Sequence, residues 1–303
     1  MSGVPPTQGT PRPGEDPTRS SRFALTRDPS VARRLALDGY ARLGGVVGPD
    51  TVAAARGAVT EAIERLGRPL GDDWFPSITL PEVEVRDLIS VRLTEILGPT
   101  LHAVLAEDAE LLRLDASVKP PSPTSALGPH QDFSIVDERR FASLYLWVPL
   151  IDTDAVNGTL HVVPGSHRFA NGIRAQHVPA VFDEVLDLVH DASVRLDCSV
   201  GDLVLMVSGV IHHSPANRSE AVRLAAHGIV KPTAAPIVFS FVDEATPPDE
   251  VECYEVDMAT YIEGIRAGRP GPGGPRPRLV PRQATSMTPE RFRAGVREVR
   301  AIR

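Results

Sequence analysis

The sequence predicts a mainly β fold, an antiparallel double-sheet jelly roll that follows a layer of helices. Two features of the sequence support this prediction. Apolar residues recur at helical spacing between residues 28 and 106. From residue 110 onward, short runs rich in Val, Leu, Ile and aromatic residues alternate with turns rich in Gly, Pro and Asn, which is typical of sandwiches and barrels.

The helical layer, residues 28–106, is predicted from apolar periodicity and from residues that begin or end helices. Three segments share these signals and are expected to be helices: residues 28–39, 50–66 and 85–97. Asp50 is the predicted N-cap of the second helix, because its side chain can accept a hydrogen bond from the first turn. Gly98-Pro99 is expected to end the third helix, and residues 100–105 to begin another.

The predicted strands of the jelly roll lie within residues 110–245. They are short apolar runs bounded by turn residues, at residues 111–118, 142–150, 158–163, 194–196, 203–207, 222–230 and 237–242. Residues 176–192 are predicted to form a loop or a short helix. Because Gly, Pro and Asn separate these runs, we expect antiparallel strands joined by turns.

The two ends of the chain differ in composition from its centre. Residues 1–20 are rich in Pro, Gly, Ser and Thr, so a disordered leader is predicted there. Residues 21–245 form the predicted central domain, and residues 246–303 a C-terminal extension. This extension is expected to contain a Gly/Pro-rich linker at residues 268–278 and a terminal helix with Pro289 at its first position.

Composition and charge exclude several classes of partner. The formal net charge is −7 and the pI is about 5.7, which argues against nucleic acid. No apolar run is long enough to span a membrane, and the N-terminus lacks the basic and apolar parts of a secretory signal. The two cysteines, Cys198 and Cys253, are expected to be unpaired thiols. We therefore expect a cytoplasmic protein that binds a small molecule, in an oligomeric state that composition does not define.

The segment Gly128-Pro-His-Gln-Asp132 carries the strongest chemical signal. His130 and Asp132 are two residues apart, so on an extended segment their side chains point the same way. His212, far downstream, is able to complete a set of two histidines and one carboxylate. That set is typical of non-haem Fe(II) sites that activate oxygen, because it leaves coordination positions open. The residues therefore predict an iron-dependent oxygenase.

Two alternatives to this ligand set remain open from the residues alone. His213 competes with His212, and since neighbours on a strand face opposite sides, one of the pair is the ligand. Zinc accepts the same ligand types, so a zinc hydrolase is a second possibility. The remaining histidines have no spacing that recommends them as ligands: His161, His167, His177, His190 and His227.

Six motifs along the chain form an ordered series. They are Gly128-Pro-His-Gln-Asp132, Trp147-Val-Pro-Leu150, Asn157-Gly-Thr-Leu160, Pro164-Gly-Ser-His167, Gly201-Asp-Leu203 and His212-x-Ser-x-x-Asn217. The series resembles that of the phytanoyl-CoA dioxygenase family over residues 35–245, and an ordered series is more specific than any one motif. The resemblance implies a double-stranded β-helix core and a reaction that depends on Fe(II), 2-oxoglutarate and O2.

The resemblance also implies roles for individual residues. His130, Asp132 and His212 match the positions of the iron ligands. Arg223, which lies 223 − 212 = 11 residues after the distal histidine, matches the residue that binds the far carboxylate of 2-oxoglutarate. An arginine suits that role because it meets a carboxylate with two parallel hydrogen bonds. Five further residues are second candidates for the co-substrate pocket or its surroundings: Ser214, Trp147, Gln131, Lys119 and Asp115.

The expected reaction is hydroxylation, or a related oxidation, of an unactivated C–H bond of a small metabolite, with release of succinate and CO2. Halogenation is disfavoured because Asp132 occupies the position that chloride would need. A non-catalytic jelly-roll binding protein is disfavoured because the ligands and Arg223 are all present. Acyl-CoA or osmolyte hydroxylation is the alternative to tailoring of a secondary metabolite or amino-acid derivative. Arg139 and Arg140, just after the ligand motif, suit either a substrate bearing a carboxylate or phosphate or two exposed positions on the surface.

Overall fold

Two antiparallel β-sheets, with helices before and after them, form most of the chain. The computed structural model describes residues 22–269, 271, 276–282 and 286–303. The predicted leader at residues 1–20 lies outside the described residues, as does part of the predicted linker at residues 268–278. None of the helices in the described ranges is long and apolar enough to cross a membrane. Both cysteines are buried and free, as the sequence predicts.

Three helices precede the long strands: α1 (Pro29–Asp38), α2 (Pro49–Glu64) and α3 (Val83–Val104). Asp28 caps α1, because its side chain accepts a hydrogen bond from the backbone N–H of Ser30 at 2.7 Å. The predicted N-cap of α2 at Asp50 is wrong. The chain enters the helix at Gly48 and Pro49, whose fixed φ suits the first helical position, so Asp50 lies inside the first turn.

Helix α3 continues through Gly98-Pro99, the pair that was expected to end it. The prediction of two separate helices is therefore wrong, since the helix runs unbroken over Val83–Val104. Proline removes one backbone hydrogen bond and normally kinks or ends a helix. Here Leu97 and Leu101, one turn apart on either side of the proline, are both buried in the main core. Burial of this apolar face offsets the local cost of the proline.

The larger of the two sheets, the major sheet, holds six antiparallel strands. They are β1 (Tyr40–Leu43), β2 (Phe75–Pro76), β3 (Ala109–Lys119), β5 (Leu144–Pro149), β8 (Leu203–Val207) and β10 (Arg223–Pro232). Their order across the sheet is β1-β8-β5-β10-β3-β2. Apolar side chains from these strands and from α1, α2 and α3 form one continuous core. The helical layer thus covers one face of the major sheet.

The smaller sheet, the minor sheet, holds four short antiparallel strands. They are β4 (Leu127–His130), β6 (Leu160–Val162), β7 (Val194–Leu196) and β9 (His212–Ser214), in the order β4-β9-β6-β7. Helix α4 (Leu186–Ala192) precedes β7. Single 3-10 turns occur at Ser77–Thr79, Ser166–Arg168 and Asp183–Val185. Two antiparallel sheets with helices before them are the jelly roll that the sequence predicts, and the fold class is confirmed.

A third sheet lies at the C-terminal end of the chain. It contains β11 (Ile237–Phe241), β12 (Glu250–Val256) and β13 (Arg278–Pro281), and helix α5 (Met258–Ala267) follows β12. Because β11 pairs with β12, this sheet crosses the proposed domain boundary at residue 245. Helix α6 (Pro289–Ile302) then begins where the sequence predicts, with Thr288 as its N-cap.

Close packing of α6 against the jelly roll gives a first testable prediction. A Cβ atom added at Gly295 would lie 2.4 Å from Cγ of Phe169, closer than van der Waals contact permits. Gly295→Ala is therefore expected to lower the free energy of unfolding by about 1–3 kcal/mol, the usual cost of overpacking. The measurement is urea denaturation followed by circular dichroism.

Gly57 in α2 provides the matched control, because nothing lies within 4 Å of a Cβ added there. Gly57→Ala is expected to raise the free energy of unfolding by about 0.5–1 kcal/mol, since alanine favours the helix more than glycine does. Equal stabilisation by both substitutions would show that α6 does not pack against Phe169.

Candidate metal centre and adjoining cavities

His130 and His212 are brought side by side by two neighbouring strands of the minor sheet. They are partners in the register of β4 and β9, and their ring centroids lie 4.1 Å apart. Asp132 follows two residues after His130, and its Oδ2 atom lies 4.0 Å from Nε2 of His212. One possible ligand atom from each residue lies within 4.8 Å of the other two. The structure thus brings the three predicted metal ligands together.

Backbone carbonyl groups two residues earlier in the chain orient both imidazoles. Nδ1 of His130 lies 2.9 Å from the Gly128 carbonyl oxygen, and Nδ1 of His212 lies 3.1 Å from that of Val210. When Nδ1–H donates to these oxygens, Nε2 of each ring carries the lone pair that a metal needs. Oδ2 of Asp132 is buried and has no hydrogen-bond partner among the described residues. A divalent cation fits this donor set, because it would satisfy that oxygen.

Burial shifts the pKa of all three groups away from their ordinary values. It lowers the pKa of His130 and of His212 to about 4, with a smaller contribution to His130 from the nearby His212. Burial raises the pKa of Asp132 to about 6, although the nearby His130 acts in the opposite direction. Both imidazoles are therefore uncharged at neutral pH and able to coordinate a metal, and a bound cation would hold the aspartate ionised.

Arg174 holds the backbone of Asp132 in place. Its Nε donates to the Asp132 carbonyl oxygen at 2.7 Å, and its Nη1 donates to Glu138 at 2.8 Å. The Arg174 side chain is largely buried. The sequence does not identify this residue, because nothing in its local sequence distinguishes it from an exposed arginine.

A buried arginine lies beside the triad without an acidic partner. Arg223 is 1% exposed, and it forms no ion pair with any carboxylate in the part of the chain that the structure describes. Its Nη1 donates to the Gly158 carbonyl oxygen at 2.6 Å, its Nη2 lies 3.4 Å from Oγ of Ser117, and its Nε has no partner there. Burial lowers the pKa of Arg223 to about 10, so the guanidinium stays charged at neutral pH. Such a charge is costly unless an anion meets it.

A buried amine, that of Lys119, lies close to Arg223. Its Nζ donates to the carbonyl oxygens of Ser125 and Pro215, both at 2.7 Å, and to that of Ser214 at 3.1 Å. Burial, with a smaller contribution from the nearby Arg223, lowers the pKa of Lys119 to about 6. These hydrogen bonds connect the end of β3 to the segment that follows β9. Lys119 therefore positions the backbone next to the triad.

A small cavity of about 60 Å³ joins the triad to Arg223. Trp147 and Ser214, both predicted to lie near the co-substrate, line this cavity. The Arg223 guanidinium lies over the Trp147 ring, 5.7 Å from its centroid. Oγ of Ser214 donates to the Gly158 carbonyl oxygen at 3.2 Å. The small cavity is thus lined both by the three candidate metal ligands and by Arg223, a cation without an acidic partner among the described residues.

Gln131 does not line this small cavity, and His213 lines it without belonging to the triad. The Gln131 amide donates to the backbone carbonyl oxygens of Ala170, at 2.8 Å, and of Gly209. Gln131 therefore holds backbone together and does not reach the position predicted for the co-substrate. The His213 ring stacks on His161 with centroids 4.8 Å apart. His213 is thus on the opposite face of β9 from His212, as alternation along a strand requires.

A larger cavity of about 280 Å³ also contacts His130 and Asp132. Its walls are mainly apolar and aromatic, and they include Trp74, Phe133 and Tyr145. Helix α5 adds Met258, Tyr261 and Ile265. The sequence gives no indication of these α5 residues, because they come from the C-terminal extension, more than forty positions after the last motif.

Arg139 and Arg140, which the sequence allowed either at the substrate pocket or on the surface, lie on the surface. Arg139 and Arg140 are exposed and line neither the small nor the large cavity. Arg139 forms an ion pair with Asp137 at 2.8 Å, and Arg140 lies over the ring of Phe141. They provide no free charge beside the triad.

His227 lines both cavities and gives a prediction about acid stability. Burial lowers its pKa to about 3, and Arg113 contributes in the same direction. In the unfolded chain His227 would have a pKa near 6.5 and would bind a proton below that pH, whereas in the folded protein it stays neutral down to about pH 3. The free energy of unfolding is therefore expected to decrease as the pH falls from 6.5 towards 3. His227→Gln is therefore expected to be less sensitive to acid over this window than the native protein. Thermal unfolding of the metal-free protein at several pH values measures the difference, and parallel curves for the two proteins would refute it.

The fold and the site together define a class: a jelly-roll protein with a two-histidine, one-carboxylate triad. A profile of the family described as phytanoyl-CoA dioxygenase matches residues 35–225. The chain belongs to this family, whose members are Fe(II)- and 2-oxoglutarate-dependent oxygenases. The predicted family is confirmed, and the predicted Fe(II) and 2-oxoglutarate are the cofactors of that family. No curated protein matches the chain.

Several solved structures resemble the chain. EvdMO1 is 20% identical, with a TM-score of 0.51 over 68% of this chain and 50% of that one. The non-haem α-ketoglutarate-dependent carbocyclase SnoK from nogalamycin biosynthesis is 23% identical, with a TM-score of 0.49 over 69% of this chain and 86% of that one. The epimerase SnoN, solved with Fe3+ and α-ketoglutarate, is 20% identical, with a TM-score of 0.48 over 73% and 87%. The likeness to EvdMO1 shows a shared fold.

Proposed function

We propose that the protein is an Fe(II)- and 2-oxoglutarate-dependent oxygenase that hydroxylates, or otherwise oxidises, an unactivated C–H bond of a small metabolite. In the hydroxylation, one oxygen atom of O2 enters the substrate and the other enters succinate, and 2-oxoglutarate loses CO2. The observation that carries the proposal is the buried, unpaired guanidinium of Arg223 in the same cavity as the triad.

His130, Asp132 and His212 would hold the iron, which supplies the activation of oxygen when it is bound. The carbonyl groups of Gly128 and Val210 keep Nε2 of both histidines directed at the metal position. Arg174 holds the Asp132 backbone in place by donating a hydrogen bond to its carbonyl oxygen. These contacts to the backbone fix the orientation of the ligand side chains.

Arg223 would bind the carboxylate of 2-oxoglutarate that lies farther from the metal. Its orphaned Nε and the two other nitrogens supply several donors on one planar group, which suits a carboxylate. Trp147 covers the face of the guanidinium and limits access of water to it. The position of Arg223 therefore determines the direction in which the co-substrate lies in the cavity.

The other candidate functions leave observations unexplained. A zinc hydrolase needs no anion beside the metal, so it gives no reason for the buried charge of Arg223. A halogenase needs an open metal coordination position for chloride, and Asp132 occupies that position. A binding protein without catalytic function does not account for two histidines whose Nδ1 atoms are both engaged by backbone carbonyl groups.

The proposal predicts a strict set of requirements for turnover. Succinate release should need Fe(II), O2 and 2-oxoglutarate together, and it should rise when a true substrate is added from a panel of metabolites. Products formed in high chloride should carry oxygen and no chlorine. Activity under anaerobic conditions, or with zinc and no keto acid, would contradict the proposal.

A further inference from the structure

The larger cavity beside the triad has walls that suit ring-bearing, apolar molecules. Aromatic side chains enclose it on several sides, among them Trp74, Phe133, Tyr145 and Tyr261. Aromatic rings bind other π-systems in offset or edge-to-face arrangements and add favourable contact beyond simple burial. Since His130 and Asp132 also contact this cavity, a molecule bound in it would lie next to the metal position.

Two charged groups in the wall of the larger cavity, Arg113 and Asp115, neutralise each other. Nε of Arg113 donates to both carboxylate oxygens of Asp115, and its other nitrogens contact Asp87 and the carbonyl oxygen of Arg86. Arg113 and Asp115 are both largely buried. Asp132 also lines this cavity, and a cation bound at the triad would match its charge. With that cation bound, a carboxylate or an ammonium group on a ligand would find no free counter-charge in these side chains, and its burial would be unfavourable.

One polar side chain in the wall has no partner. Neither nitrogen of the His227 imidazole forms a hydrogen bond with a residue that the structure describes, and its Nδ1 is fully buried. His227 is 5% exposed, and its ring stacks on Tyr145 with centroids 5.3 Å apart. An unsatisfied buried donor or acceptor is costly, so the position is suited to a hydrogen bond from a bound molecule.

We propose that the substrate is an uncharged, mainly apolar ring compound with one hydroxyl or carbonyl group that forms a hydrogen bond with the His227 imidazole. This inference rests on the proposed oxygenase function, because it assigns the cavity to the substrate. A neutral imidazole has one donor and one acceptor nitrogen, so it matches either group. The hydrogen bond, together with stacking against the aromatic walls, fixes which C–H bond of the ring compound faces the triad.

The test uses 2-naphthol as a neutral ring probe and 2-naphthoate as its anionic counterpart. Isothermal titration calorimetry measures the binding of each probe to the full-length protein without metal, and again under anaerobic conditions with Fe(II) and 2-oxoglutarate. The co-substrate keeps 2-naphthoate from binding at Arg223. The metal-free measurement does not depend on the oxygenase proposal, so the two proposals can fail separately.

The expected result is that 2-naphthol binds and that 2-naphthoate binds at least about tenfold more weakly when 2-oxoglutarate is present. His227→Phe should weaken 2-naphthol binding about two- to tenfold, the usual effect of losing one neutral hydrogen bond. His227→Gln should restore part of it, since the amide again offers a donor and an acceptor. His161→Phe, a matched change at a histidine that lines neither cavity, should have no effect.

Three outcomes would overturn the inference. These are no binding of 2-naphthol up to its solubility limit, equal binding of 2-naphthoate in the presence of 2-oxoglutarate, or unchanged 2-naphthol binding in His227→Phe. If 2-oxoglutarate still binds to the Fe(II) protein in such a case, the oxygenase proposal stands while the substrate class falls.

Discussion

His212→Ala is expected to abolish iron-dependent succinate release, whereas His213→Ala is expected to retain most of it. His212 supplies one of three ligand atoms, and the loss of even an outer contact to a metal ligand typically costs about 10- to 100-fold in affinity or activity. Loss of the ligand itself should therefore exceed a hundredfold. The measurements are Fe(II) binding under anaerobic conditions and succinate release. His130→Ala and Asp132→Ala should behave in the same way.

His213 is the matched control because it is the next residue on the same strand and faces the opposite side, where it stacks on His161. Thermal unfolding of the variants separates a lost ligand from a lost fold, and the His212 variant should remain folded. Activity that disappears in the His213 variant and persists in the His212 variant would reverse the assignment of the ligand.

Arg223→Ala is expected to raise the apparent KM for 2-oxoglutarate by about tenfold to a few hundredfold. Removing one partner of a buried charged hydrogen-bonded pair costs about 2–5 kcal/mol, and 1.4 kcal/mol corresponds to tenfold in affinity. We take the lower half of this range of about 2–5 kcal/mol as the loss of binding free energy for 2-oxoglutarate, which gives the expected change in KM. The measurement is titration of 2-oxoglutarate into the anaerobic Fe(II) protein, followed by the absorption band between metal and keto acid.

Arg223→Lys should recover part of the affinity, because lysine keeps the charge and loses the planar two-point contact. Iron binding should change little in either variant, since Arg223 is not a ligand. An unchanged titration in Arg223→Ala would contradict the assignment. Lys231 is a poor alternative candidate for binding the carboxylate of 2-oxoglutarate, because its Nζ is already paired with Glu110 at 2.6 Å.

The residues closest to the metal were predictable because motif order and local geometry both identify them. His130 and Asp132 lie two residues apart on an extended segment, and His212 stands at a fixed spacing from Ser214 and Asn217. Such signals depend on a few neighbouring residues. The start of α6 was predictable for the same reason, since Pro289 is an ordinary first residue of a helix.

The features that were not predicted from the sequence depend on contacts between distant parts of the chain. The continuation of α3 through Gly98-Pro99 follows from burial of its apolar face, which outweighs the local preference. Strand β12 and helix α5 were not predicted, because acidic and proline residues at positions 243–249 separate them from the jelly-roll strands, and β12 pairs with β11 and β13. Arg174 and His227 matter because of what they face in space, and no local pattern reveals that.

The triad and part of the wall of the larger cavity come from different segments of the chain. The triad and Arg223 all lie within residues 35–225, the segment that matches the family profile. Part of the wall of the larger cavity comes from later in the chain, from His227 and from Met258, Tyr261 and Ile265 on α5. If the larger cavity holds the substrate, as proposed, substitutions on α5 are expected to change which molecules bind without altering the triad or Arg223. Reactivity and selectivity are therefore open to independent variation, in evolution and in the laboratory.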